Sequence, residues 1–301
     1  MAFTAKDVMA LREASGAGML ECKKALTDAD GDMTKAAELL RERGIAKAVK
    51  KEGRIAAEGV VGAYVCPECG VGVLLEINCE SDFVSRGEKF HGIVDEVAKV
   101  VAKNKPADVE ALNACKLGDG TVKDFITNQT AVIGEKISIR RFEIYETSGK
   151  IETYIHMGGK VGVMVDAVNF KAGGEETLHD VALQIAAAHP LYVNESDVPA
   201  EVLEKEKEIM LVQMQNDEKN ANKPKNILEK IVMGKLGKYY SDNCLLEQAF
   251  VKDDSLKVKA VIGDKFTVAR FVRFEMGEGI EKKSENLQDE VAKQVAAMKK
   301  N

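Results

Sequence analysis

Tryptophan is absent from this chain of 301 residues and aromatic residues make up only 5% of it, so its cores must be built from Ala, Val, Leu, Ile and Met. Positive charge is not in excess either. Lys and Arg number 43 against 49 Asp and Glu, which disfavours a polyanion binder, because phosphate contacts are supplied largely by Lys and Arg. Direct nucleic-acid binding is therefore not expected. No apolar run reaches the length of a membrane span, and the opening MAFTAKDVMALRE has neither an apolar h-region nor an Arg/Ser-rich transit character. The expectation is a cytoplasmic protein off the membrane. Catalytic signatures are missing as well: there is no G-x-x-x-x-G-K phosphate loop, no H-E-x-x-H and no G-x-S-x-G elbow. His179 and His189 lie in or after a helix pattern, and His156 stands beside a turn without a partner acid. Neither enzymatic chemistry nor a cofactor is expected.

The six cysteines are scattered, without secretory context, so reduced thiols are expected. Only Cys66-Pro67-Glu68-Cys69-Gly70 has a suggestive spacing. A structural zinc site needs four ligands, and no second C-x-x-C or His pair follows. Cys66 and Cys69 remain candidate metal or redox residues, against the plainer reading of an exposed turn shaped by Pro and Gly.

What the chain does have is organisation. Thr4 with Asp7 can cap a helix carrying Val8 and Leu11 up to Ser15-Gly16; a second runs from Met19 through Leu26; Asp32 caps a third with Met33, Ala36, Ala37 and Leu40 on one side and Gly44 as its stop. Ala46 to Arg54 reads as a basic, solvated extension or linker. Beyond it the chain repeats itself. Tyr64–Glu76 (YVCPECGVGVLLE) realigns on Tyr154–Asp166 (YIHMGGKVGVMVD), and Gly134–Phe142 realigns on Gly263–Phe271 as an alternating strand pattern. Each copy carries a helix, at Phe90–Lys103 and Glu176–Ala188. The offset grows from 90 residues (Tyr64 to Tyr154) to 129 (Gly134 to Gly263), so the second copy is longer by about 39. Glu201–Gln215 and Ile227–Tyr240 account for that excess as two amphipathic helices, joined by the polar Asn216–Asn226. A projecting helical hairpin is expected, the alternative being two helices packed back on the body.

The fold class expected is α+β: a three-helix bundle and linker over residues 1–53, a first sheet-and-helix subdomain over 54–146, and a related second one over 147–275 with a helical hairpin inserted at about 199–241. A C-terminal helical module over 276–301 completes it. The first copy of the repeat ends in Asn78-Cys79-Glu80-Ser81-Asp82-Phe83-Val84, which the second copy lacks. From the residues alone two readings stand: Phe83 anchors a helix start in its own core with Asp82 as its cap, or both meet a partner.

Three segments in order bear on that choice: Leu11-Arg12-Glu13 with Ser15-Gly16-Ala17-Gly18-Met19-Leu20-Glu21-Cys22-Lys23-Lys24-Ala25-Leu26, then Asn78 to Val84, then Phe271-Val272-Arg273-Phe274-Glu275-Met276-Gly277-Glu278-Gly279-Ile280-Glu281. Together they resemble translation elongation factor Ts from end to end. The resemblance implies a bundle resembling a ubiquitin-associated (UBA) domain, a duplicated core and a helical hairpin. It also implies a guanine nucleotide exchange factor that binds the GTPase elongation factor Tu and promotes loss of Mg²⁺ and GDP, without covalent chemistry. The Mg²⁺-dislocating segment implied is Ser81, Asp82, Phe83 and Val84, where Ser81 replaces the family's commoner Thr. Further partner contacts implied are Leu11, Met19, Leu20, Lys23, His156, Phe250 and Val251, and a higher-order complex with Tu is left open. Two other classes stay in view: a thiol or metal protein using the Cys66/Cys69 turn, and a UBA-like binding module, which accounts for the first bundle alone.

Overall fold

A computed structural model of the chain describes residues 3–216 and 225–280. Helix α1 (Ala5–Ser15) begins where the Thr4 hydroxyl accepts the Asp7 amide and the Asp7 carboxylate accepts the Thr4 amide in return. It ends at Gly16, whose φ of 67° is the left-handed conformation that closes a helix. Helix α2 (Met19–Asp28) follows, then α3 (Met33–Val49), capped by the Asp32 carboxylate on the amides of Thr34 and Lys35. Val8, Leu11, Cys22, Ala25, Leu26, Ala36 and Leu40 close a small core among the three.

The first sheet combines β1 (Glu58–Cys66) and β2 (Val71–Cys79) with a later strand. After β2 come the single turn α4 (Asp82–Ser85), the long α5 (Glu88–Asn104), α6 (Val109–Ala114), a two-residue ladder of β3 (Lys116–Leu117) on β4 (Gly120–Thr121), and α7 (Val122–Ile133). Strand β5 (Ser138–Glu146) then returns beside β2, giving the antiparallel order β1-β2-β5. Gly44, expected to stop α3, lies inside it. A Cβ on Gly44 would stand 2.9 Å from that of Ala131 in α7, so the glycine permits close approach of two helices instead of ending one.

The second sheet has the order β10-β7-β6, from β6 (Lys150–His156), β7 (Val161–Val168) and, after a long excursion, β10 (Thr267–Glu275). The excursion holds α8 (Glu175–Ala188), α9 (Ala200–Gln215), α10 (Lys225–Asn243), the short pair β8 (Ala249–Phe250) and β9 (Asp253–Lys257), and α11 (Val258–Ile262). The two hairpins share one register: Tyr64 faces Val73 and Cys66 faces Val71, as Tyr154 faces Val163 and His156 faces Val161. Each third strand joins with one irregularity, between Glu76 and Ile77 in the first sheet and between Val268 and Arg270 in the second.

Strand β2 is buried along its whole length because it has a layer on each face. Val73, Leu75 and Ile77 enter the core roofed by α5, whereas Leu74 joins Val61, Met164 and Phe274 in a cluster shared with the second sheet. The sheets approach closely at Gly162, where a Cβ would meet Val61 at 2.4 Å.

Helices α9 and α10 pack mainly on one another through Met210, Leu211, Met214, Ile231 and Val232. Their base is held where the amides of Leu191 and Tyr192 donate to the Asn243 carbonyl, beside a 3-10 turn at Leu245–Glu247. Most of the expected Asn216–Asn226 connection lies outside the described residues, as does the expected C-terminal helical module beyond Ile280.

Candidate functional site

The buried strand β2 delivers Cys79 to the foot of α4, and the next six residues divide their side chains between core and solvent. Val84 is half-buried against the core of the first sheet and Ser85 is buried. Phe83, just before them, points away and is 87% exposed. The reading in which Phe83 anchors the helix in its own core is therefore excluded. Asp82 is not the cap either: the cap position is Ser81, with no side-chain capping bond, and Asp82 instead forms a 2.8 Å ion pair with Arg86 one turn on.

Ser81 is held from outside its own segment. Glu135 accepts its amide at 2.9 Å through Oε2 and its hydroxyl at 2.5 Å through Oε1. The neighbouring Glu80 accepts the Lys136 amide at 2.6 Å and pairs with Arg54 at 3.1 Å. The Lys136 ammonium in turn donates to the carbonyls of Glu52 and Arg54, and Lys51 donates to the Gly134 carbonyl. Three stretches thus meet at one joint: the chain leaving the bundle, the start of α4, and the turn before β5. Cys79 lies beneath it, its thiol pushed up to about 12 by burial first and by the charges of Glu135 and Glu58, against its backbone hydrogen bonds at Ser81 and Ser85. It is a neutral thiol and no nucleophile.

On the bundle, Met19 and Leu20 are exposed at the start of α2, Leu20 by 82%, and Lys23 is exposed one turn later. Leu11 is not beside them. Only 1% exposed, it fills the bundle core and presents no surface to a partner; its one-sided spacing with Val8 was the sign of a core position. At the tip of the second hairpin His156 is exposed, its Nδ1 2.8 Å from the Tyr154 hydroxyl, and Tyr154 stands edge-on to His179. Phe250 also departs from expectation: it is buried in the core of the second sheet. Its neighbour Val251 is exposed, with its amide donating to the buried Gln184 at 2.8 Å. Phe250 ends β8 facing inward, and Val251 begins the turn that follows.

Cys66 and Cys69, expected as reduced thiols, form a disulfide across the hairpin turn, their Cα atoms 5.3 Å apart. That separation lies within the range a disulfide spans. Among the described residues no three His, Cys, Asp or Glu side chains gather as a metal site. Sequence reasoning missed two features. Met157, exposed with a φ of 49°, sits next to His156, and nothing in its context marked it. Glu135 is separated from Ser81 by 54 residues, so no local pattern could connect them.

A family model described as Elongation factor TS matches residues 80–278. The chain belongs to the elongation factor Ts family. Relatives named elongation factor Ts agree along nearly the whole chain: that of Clostridium perfringens (strain SM101 / Type A) is 48% identical over 96% of this chain and 98% of its own length. That of Clostridium botulinum (strain Alaska E43 / Type E3) is 44% identical over 97% and 99%. As an elongation factor Ts family member the protein serves protein biosynthesis at translation elongation. The family match begins at Glu80, so it takes in Ser81 to Val84 and Glu135, and the long relatives extend the likeness to the bundle.

Proposed function

We propose that the protein is a guanine nucleotide exchange factor for elongation factor Tu, acting in the cytoplasm with Ser81, Asp82, Phe83 and Val84 at the point where Mg²⁺ and GDP are dislodged. The exposure of Phe83 carries the reading: a large apolar ring is held out on a helical turn whose next two residues, Val84 and Ser85, turn inward. Such a side chain supplies about 1.5–3 kcal/mol when a partner buries it. Exchange needs that free energy to favour the nucleotide-free GTPase over the GDP-bound one, since a ligand that binds both states equally shifts nothing. Each tenfold weakening of GDP takes about 1.4 kcal/mol of such preference. Phe83 can supply one to two powers of ten if its pocket exists only in the open GTPase.

Asp82 sits on the exposed face beside it and brings a carboxylate near a hard cation that depends on oxygen ligands. Met19, Leu20 and Lys23 on the bundle, and His156 and Val251 on the second sheet's side, are the remaining proposed contacts. No covalent step is involved. The matching hairpin registers and strand irregularities of the two sheets support an internal duplication, and the separate cores of the bundle and the sheets support the division near residues 53 and 146. Release of a fluorescent GDP analogue from purified elongation factor Tu tests the proposal: the wild type accelerates it, and Phe83→Ala and Asp82→Ala largely lose that effect while remaining folded.

A further inference from the structure

We infer that Glu135 is a positioning residue for exchange, a carboxylate clasp that sets the direction in which Phe83 leaves the protein; the inference rests on the exchange reading above. Helix α4 has four residues and no side-chain cap of its own, and so short a helix has little intrinsic stability. Its entry must be fixed from elsewhere. Both Glu135 oxygens are spent on Ser81, one on the amide and one on the hydroxyl, and hydrogen bonds to an ionised carboxylate are about twice as strong as neutral ones. Ser81 is thereby held at two points, which fixes rotation as well as position.

The clasp is reciprocal. Glu80, adjacent to Ser81, accepts the amide of Lys136, adjacent to Glu135. Each strand end thus contributes one carboxylate to the other's backbone, and the two contacts straddle the entry to α4. Lys136 extends the joint to the carbonyls of Glu52 and Arg54 on the chain leaving the bundle. The same joint that aims Phe83 therefore also ties down the chain leaving the bundle. A hydroxyl at position 81 is required by the second contact, and its loss in Ser81→Ala would leave Glu135 a single bond.

The role separates from simple support by where the loss falls. Phe83 gains its value only in the open complex, and small misplacement of a positioned group costs up to about a hundredfold in rate. Glu135→Ala should lower the maximal rate of stimulated GDP release by roughly tenfold or more, with the half-saturating factor concentration moved by less than about threefold. Glu135→Gln, which keeps the shape and one acceptor, should fall between. In a Phe83→Ala background Glu135→Ala should add nothing, because residues acting through one another are not additive. Hydrogen exchange of the free chain gives a second readout: Glu135→Ala should deprotect the Ser81 amide while Val73 and Leu75 in β2 keep their protection. Full activity in Glu135→Ala, an effect that multiplies with that of Phe83→Ala, or an unchanged Ser81 amide would overturn the inference. A wild type that leaves GDP release unchanged would overturn the exchange reading and this role with it, while the Ser81 amide would still report whether the clasp exists.

Discussion

Glu76 and Gly277 lie 201 residues apart in the chain and are joined by a 2.8 Å hydrogen bond, the Gly277 amide donating to a carboxylate that has no exposed surface. Arg140 and Arg141 contact the same carboxylate at 3.0 and 2.7 Å, and Asn78 adds a fourth donor. Glu76 therefore fastens the end of the second sheet to the middle strand of the first. The second sheet has a partial counterpart in Arg270 on Asp166 at 3.1 Å.

Removing that carboxylate leaves two guanidinium groups facing a buried vacancy. Glu76→Ala should destabilise the protein by about 3–5 kcal/mol, the usual cost of breaking a buried ion pair from one side, measured by urea unfolding. The pH dependence has a definite sign. Burial works to raise the Glu76 pKa, but the Gly277 amide and the Arg140, Arg141 and Asn78 donors outweigh it and hold it below its ordinary value of 4.5. The stabilisation is thus fully present above the ordinary carboxylate range and lost as pH falls through the lowered folded value. Between pH 7 and pH 3 the wild type should lose more stability than Glu76→Gln.

Leu11 and Leu20 should behave oppositely. Leu11→Ala empties a core position and should cost about 2–5 kcal/mol, seen in denaturation of the free chain. Leu20→Ala touches an exposed side chain, should change stability by less than about 0.5 kcal/mol, and should raise the half-saturating concentration in the exchange assay.

Thiol labelling maps the cysteines without reference to function. In the native protein iodoacetamide should modify the half-buried Cys115 and spare Cys22, Cys79 and Cys244, which are buried; Cys244 is also pushed up to about 11, by burial before the nearby carboxylates. Reduction should add Cys66 and Cys69 to the labelled set. Because their disulfide closes a loop of only four residues, its loss should cost no more than about 2 kcal/mol. Peptide mass mapping reads both steps.

The local rules explain why much of the fold was legible. The Thr4–Asp7 box, the Asp32 cap and the alternation in Gly134–Phe142 are short-range signals, and each marked its element, although the strand starts only at Ser138 because Gly134 closes α7. Helix α7 was missed although Thr121 and Asp124 repeat the Thr4–Asp7 spacing and form the same capping box; the signal was there to be read. Gly44 misled because a glycine that ends a helix and one that lets two helices touch look alike until the neighbour, Ala131, is in place. At the site, Phe83 was visible as a residue while its direction was not. Whether it turned inward depended on Val84 taking the core position and on Glu135 holding Ser81, both consequences of tertiary pairing.

The central claim is that an exposed Phe83 converts binding into nucleotide release. Its most direct measurement is the rate at which a fluorescent GDP analogue leaves elongation factor Tu, with wild type and Phe83→Ala compared at saturating concentration. The account predicts strong acceleration by the wild type and a loss of about ten- to a hundredfold of it in the variant, from the free energy of one buried aromatic side chain. Equal acceleration by a folded Phe83→Ala chain would contradict it.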